Sequence, residues 1–226
     1  MANQIEVKIL SHNLNGMPTF LAMLTQRGHQ ISGMDDLMQL YNNTIDTVPS
    51  ATLMDLPHGT IKRMCYMTVA IVGLSTKAVS QLRTHATRLT FMSTSTQYSS
   101  FENRPNNFVI PSGLNEKEET LIKEAYKDVQ FTYNHLINMG VDKDKAGYLL
   151  PQGLRKALII SGHLDAWEYV ISLRTCRRNT EEVKDVCNMI YKEIGKINTK
   201  FTYNMLPSCD KEGCREGKFS CKGVKR

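Results

Sequence analysis

The run TIKRMCYMTVAIV, from Thr60 to Val72, limits the folds open to this chain more than any other stretch. It is rich in β-branched and aromatic residues and becomes more apolar toward its end, which predicts a long strand buried over its second half. Gly73 breaks the run. Ser75 then stands where an N-cap belongs, ahead of a helix over STKAVSQLRTHA with Ala78, Val79 and Leu82 inward. A buried strand needs a sheet beside it and helices over it.

Both are present in the pattern. IEVKIL (5–10) alternates apolar and polar residues and reads as a strand. LTFMSTSTQYS alternates large and small residues, a strand with a Ser/Thr face. Pro18 opens a helical pattern through Phe20, Leu21 and Leu24, with Gly28 beyond its end. Ser32 begins another, with Met34, Leu37, Met38 and Tyr41 at helical spacing. Asn115 and Glu118 form a capping-box pattern that opens a long helix ending at Gly140, with Leu121, Ile122, Ala125, Val129, Leu136 and Ile137 as its apolar face. Asp142 caps a short helix that Pro151 ends. Helices follow over Leu164 to Thr175 and after Asn179, the last with Val183, Val186, Cys187, Ile190 and Ile194 inward. There is no βαβ rhythm, so the class is α+β. We read one domain over residues 1–205 and a Cys-rich basic tail over 206–226.

The chain has 226 residues and a net charge of +6, which favours anionic partners. No apolar run is long enough to span a membrane. MANQIEVKIL lacks the charged and apolar regions of a secretory signal, so the expected location is cytoplasmic. The basic residues of the tail read as a solvated segment. No RRM, zinc-finger or helix-turn-helix signature accompanies them, so a nucleic-acid partner is not expected. Of the six cysteines, Cys65, Cys176 and Cys187 read as small buried thiols. Cys209, Cys214 and Cys221 lie in the tail as C-x4-C-x6-C. A structural zinc site needs four ligands and the tail holds no His, so no metal is assigned.

No phosphate-binding glycine loop, zincin helix or nucleophile elbow is present. The polar groups gather elsewhere, over QLRTHATRLTFMSTSTQYSSF from Gln81 to Phe101. On a helix Gln81 and His85 would share one face, and Thr84 and Arg88 the next. The strand beyond carries Ser93, Ser95 and Gln97. Hydroxyls and amides suit sugar and base edges, and arginine suits phosphate. Such a corner could line a nucleotide pocket or be an exposed strand whose threonines merely favour β structure.

This stretch resembles the signature of flavin-dependent thymidylate synthases, which carry Q-x-x-R-H-R, a short spacer and N-E-x-S-x-R-Y-S. Here the residues read QLRTHA at Gln81–Ala86 and MSTSTQYS at Met92–Ser99, so that Gln81, His85, Ser95, Tyr98 and Ser99 match. LPHGTIKRMCYMTVAIVG stands where the family has a His before a long strand, here His58. GVDKDKAGYLLPQGL is similar to the family's short helix and Leu-Pro turn. HLDAWEYVISLRT is similar to its next helix, which ends in an Arg, here Arg174. The likeness runs from about residue 55 to 195.

The resemblance implies a twisted, mainly antiparallel sheet flanked by helices, assembled as a homotetramer. It implies reductive methylation of dUMP to dTMP, with methylenetetrahydrofolate as carbon donor, FAD as flavin and NADPH as reductant. It puts Arg174 against the pyrimidine edge as the catalytic cation. Gln81, Arg83, Ser95 and Gln97 would bind substrate, and His58, Thr84, His85, Arg88, Ser93 and His163 would bind cofactor. Several positions depart from the family pattern. Thr84 and Ala86 replace the arginines flanking the histidine, Ser93 replaces a Glu, and Gln97 replaces the phosphate-binding Arg. Gly147 replaces another Arg, and His163 an Asn. Either Arg83, Arg88 or Arg155 takes over the phosphate, or the nucleotide differs. The alternatives are a related flavin and folate enzyme acting on another pyrimidine nucleotide, or a non-enzymatic nucleotide- or RNA-binding module.

Overall fold

The structure is a computed structural model that describes residues 5–55, 59–104 and 107–221. In chain order the elements are β1 (Glu6–His12), α1 (Met17–Arg27), α2 (Met34–Thr44), α3 (Ala51–Asp55), α4 (Gly59–Met64) and β2 (Tyr66–Ser75). There follow α5 (Thr76–Arg83), β3 (Leu89–Ser93), α6 (Glu116–Asn138), α7 (Lys143–Ala146), β4 (Arg155–His163), α8 (Leu164–Arg174), α9 (Glu181–Ile197) and α10 (Ser208–Lys211). The four strands form one sheet in the order β1-β2-β4-β3.

Pairing is antiparallel at each step. Asn13, just past the end of β1, bonds Tyr66 at the start of β2. Thr68 Oγ1 and Ser161 Oγ lie 2.9 Å apart, which brings the start of β2 to the end of β4. Thr94, just past β3, donates its N–H to Ala157 near the start of β4. The fold is thus α+β, as the pattern predicts, with the antiparallel sheet that the resemblance implies.

The chain divides into two compact units. The first comprises Met1–Glu6, Ile71–Thr84 and Phe91–Ile159; the second comprises Val7–Ala70, His85–Thr90 and Ile160–Arg226. In the first unit, Phe101, Tyr133, Ala146 and Leu154 form a buried cluster. Asn107 and Gln130 both donate to the carbonyl of Phe101, which satisfies that buried oxygen. The Asn115–Glu118 capping box forms as expected at the start of α6. The buried side of α6 is narrower than the apolar pattern suggests: Tyr133 is buried, while Leu121 and Ala125 are exposed.

In the second unit, Trp167 is buried and donates its indole N–H to the Met67 carbonyl at 3.2 Å. Val183, Val186, Cys187, Ile190 and Ile194 all turn inward from α9, as their spacing requires. Burial pushes the Cys187 thiol up to about 12, so it is an apolar packing group and no nucleophile. Gly16 lies against the backbone of Thr44 and Ile45, closer than any side chain allows.

Three local expectations change. Residues 60–64 are helical, and the strand begins at Tyr66 and continues through Gly73 to Ser75. Gly73 has φ 96°, a conformation that costs a side-chain residue dearly, so glycine permits the strand to go on. Helix α5 ends at Arg83, and Thr84–Arg88 is a turn, so His85 is not a helical residue. Residues 155–163 are a strand, and His163 is its last residue rather than part of a helix.

Candidate active site

In the second unit the turn after α5 closes on itself: the N–H groups of Arg88 and Leu89 both donate to the His85 carbonyl. This fixes the backbone at His85, whose side chain is buried at 8% exposure. Arg174, the last residue of α8, donates its Nε–H to His85 Nε2 at 2.8 Å. Its Nη1 donates to Asn179 Oδ1 at 3.1 Å, and Asn179 Nδ2 is anchored on the Leu173 carbonyl. The guanidinium is therefore gripped from two sides. Tyr169, one turn back along α8, sets its ring edge-on to His85 with centroids 6.1 Å apart. Arg88 stacks on the same ring at 4.2 Å, a cation–π contact.

The electrostatics follow. Burial, then the positive charges of Arg174 and Arg88, hold the His85 imidazole below the usual histidine range. A neutral ring is required here, because Nε2 is an acceptor and must carry no proton.

In the first unit the hydroxyl-rich segment leaves β3 at Ser93. Ser95 Oγ accepts from the N–H groups of Gln97 and Tyr98, at 3.1 and 3.3 Å, and so turns the chain sharply. Gln97 is exposed, and Ser93 and Ser95 are half-buried. Thr84 Oγ1 donates to the Gln81 carbonyl and finishes α5. Lys156, on β4, donates Nζ–H to the Thr94 carbonyl at 3.0 Å. Its ammonium is held below the usual lysine range by burial and then by the charge of Arg83. Lys156 thus sets a cation against the segment, with Arg83 near enough to act on its charge. Gly147 packs against it as well: a Cβ there would stand 3.3 Å from the Thr96 carbonyl.

Of the residues singled out from the sequence, His85, Arg88 and Arg174 come together in the second unit. Gln81, Arg83, Thr84, Ser93, Ser95 and Gln97 belong to the first. His163 is exposed and serves as the residue ahead of α8, with no side-chain capping bond. Arg155 has its Nε buried without a hydrogen-bond partner among the described residues. His58 lies outside the described residues. Sequence reasoning passed over Tyr169, Asn179 and Lys156. Asn179 looked like the cap of α9, but Thr180 holds that position. Lys156 had one available signal, a lysine within an otherwise apolar run that follows a Leu-Pro turn.

A family model for thymidylate synthase complementing protein matches residues 21–198. The chain belongs to that family. It is similar to the flavin-dependent thymidylate synthase of Thermococcus kodakarensis, 29% identical over 143 residues that make up 62% of this chain and 58% of that one. The match to the Saccharolobus solfataricus flavin-dependent thymidylate synthase spans 39% of that protein, so the chain covers less than two thirds of the length of these relatives. Among solved structures it resembles thymidylate synthase X of Helicobacter pylori, solved with FAD and dUMP, at a TM-score of 0.67 and 17% identity, over 89% of this chain and 99% of that one. It also resembles the UMP/dUMP methylase PolB of Streptomyces cacaoi, bound with 5-Br dUMP, at a TM-score of 0.69 and 16% identity, over 90% and 95%. These structures support the thymidylate synthase complementing fold for the chain. The family match ends before Cys209, Cys214 and Cys221, so the tail thiols lie beyond it.

Proposed function

We propose that this protein is a flavin-dependent thymidylate synthase that converts dUMP to dTMP, with methylenetetrahydrofolate, FAD and NADPH as the family requires. The observation that carries the reading is the clamp on Arg174. Its guanidinium is held by a neutral imidazole and an amide oxygen, so its direction is set before any substrate arrives. A preorganised cation at a pyrimidine edge lowers the energy of negative charge developing on the ring.

FAD supplies redox chemistry when bound, and a diphosphate and ribose set the demands on its site. In the second unit Arg88 offers a cation and His85 a fixed ring; in the first, Thr84 and Ser93 offer hydroxyls. These four residues, with His58 and His163, are the proposed cofactor contacts. Gln81, Ser95, Gln97 and Arg83 are the proposed substrate contacts. The nearness of Arg83 to Lys156 supports this: burial and then the charge of Arg83 hold the lysine below its usual range, and an anion beside them would offset both. Lys156 and Arg83 would then grip the nucleotide phosphate where Gln97 and Gly147 have replaced arginines.

Those replacements also favour a second reading, in which the same chemistry acts on another pyrimidine nucleotide such as UMP. One experiment tests both. Purified protein incubated with FAD, NADPH and methylenetetrahydrofolate is given dUMP or UMP, and the methylated product is identified by mass. Formation of dTMP that disappears in Arg174→Ala, with FAD still bound, is the expected result. A colourless protein that takes up no FAD would refute both readings.

We further propose a homotetramer located in the cytoplasm. Leu10, Tyr66, Val72 and Met92 are apolar strand residues left exposed, Met92 at 73%, which is surface that copies of the chain would cover. No helix among the described residues is long and apolar enough to cross a membrane. Sedimentation equilibrium of the full chain gives the assembly mass.

A further inference from the structure

The segment from Ser208 to Cys221 buries no residue at all. Its only half-shielded side chains are Ser208, Cys209, Cys214, Ser220 and Cys221. A folded segment usually turns apolar side chains inward; here the half-shielded side chains are thiols and hydroxyls, and its one large apolar residue, Phe219, is exposed. Segments with so little core are normally held by a metal or a covalent link.

The fourth thiol comes from elsewhere in the chain. Cys176, two residues past the end of α8, lines the same small cavity as Cys209, Cys214 and Cys221. That cavity has a volume of about 50 Å³, and Arg178 and Glu216 also border it. Cys176 and Cys209 are close enough to act on one another electrostatically. The Ser220 hydroxyl and the N–H groups of Glu216 and Cys221 lie close enough to Cys214 to favour its thiolate. Backbone donors directed at sulfur are the surroundings that orient a metal-bound thiolate.

We propose that Cys176, Cys209, Cys214 and Cys221 bind one structural zinc ion that pins the C-terminal segment to the end of α8. Four thiolates at about 2.3 Å from the ion satisfy its tetrahedral preference and leave no open position for catalysis. Binding releases one proton from each thiol and leaves the site with two net negative charges. Arg178 borders the cavity and meets part of that charge. Among the described residues no three His, Cys, Asp or Glu groups converge at ligand distance, so the four thiols must draw together to hold the ion. Cys209 instead donates to Asp210 at 3.7 Å and must turn inward. The sequence pattern reads Cys176 as a buried thiol; it is half-exposed instead, and it is too distant along the chain for spacing to reveal it as a ligand.

The test uses the full chain. Elemental analysis after purification without chelator is expected to give one zinc per protein. Cobalt(II) replacing it is expected to show thiolate charge-transfer absorption, which Cys176→Ser weakens and shifts while circular dichroism stays native. Chelation is expected to speed protease cleavage within residues 208–221 by about tenfold or more, reversed by zinc alone. The proposal is overturned by metal-free protein whose four thiols react freely and do not take up added zinc. Disulfides among these cysteines would overturn it too. So would a Cys176→Ser variant with unchanged zinc content and cobalt spectrum.

Discussion

Arg174 Nε lies 2.8 Å from His85 Nε2, and the two residues reach each other from segments far apart in the chain. The bond ties the end of α8 to the turn that follows α5. It also sets the tautomer of His85, whose proton must sit on Nδ1.

Replacing Arg174 with Lys keeps the charge and loses the fork. A lysine cannot bond His85 and Asn179 at once, so its ammonium is not aimed. We expect kcat to fall by about 100-fold or more, with circular dichroism unchanged. Steady-state kinetics at saturating nucleotide measures it.

Acid should loosen this contact. The His85 imidazole is held below its ordinary value in the folded chain, so between the folded and unfolded values the unfolded chain binds more protons. Its stabilising contribution is therefore complete above about pH 6.5 and is lost as pH falls through the lower folded value. We expect the melting temperature of the native protein to drop more steeply on acidification than that of His85→Gln. Equal slopes would show that His85 has no part in the acid sensitivity. His12 is depressed by burial as well, and the comparison removes its share.

Lys156→Met should raise KM for the nucleotide by about tenfold and leave kcat within about twofold, the mark of lost ground-state binding to a phosphate. The same variant should lose much of the salt dependence of KM. Flavin affinity, measured by fluorescence quenching, should not change.

Gly16→Ala tests a packing constraint away from the site. A Cβ there would stand 2.1 Å from the Ile45 Cα and the Thr44 carbonyl, both backbone atoms that cannot swing aside. We expect a loss of about 3 kcal/mol of stability by urea denaturation.

The legibility of the chain was uneven, for physical reasons. Caps and helix faces read well, because Asn115, Glu118 and the α9 stripe act through local spacing. The start of β2 read poorly: Thr60 and Ile61 favour strands by propensity, yet these residues form a helical turn. Strand β4 went unread because ALII has no alternation, and a continuous apolar run does not declare its period. That omission put His163 on a helix. At the site, His85, Arg88 and Arg174 were visible through motif likeness. Asn179 was not, since an Asn three residues ahead of a Glu signals a cap far more often than a guanidinium acceptor. The tail thiols were visible, but the partner that completes them was hidden by distance along the chain.

One phenol ring touches both His85 and Arg88, edge to the first and face to the second. The three positions are therefore not free to diverge one at a time. A lineage that trades Tyr169 for an aliphatic residue unseats two polar groups in a single event. Substitutions at 85, 88 and 169 should accordingly be inherited as a set among related chains, even where the residues between them change at will.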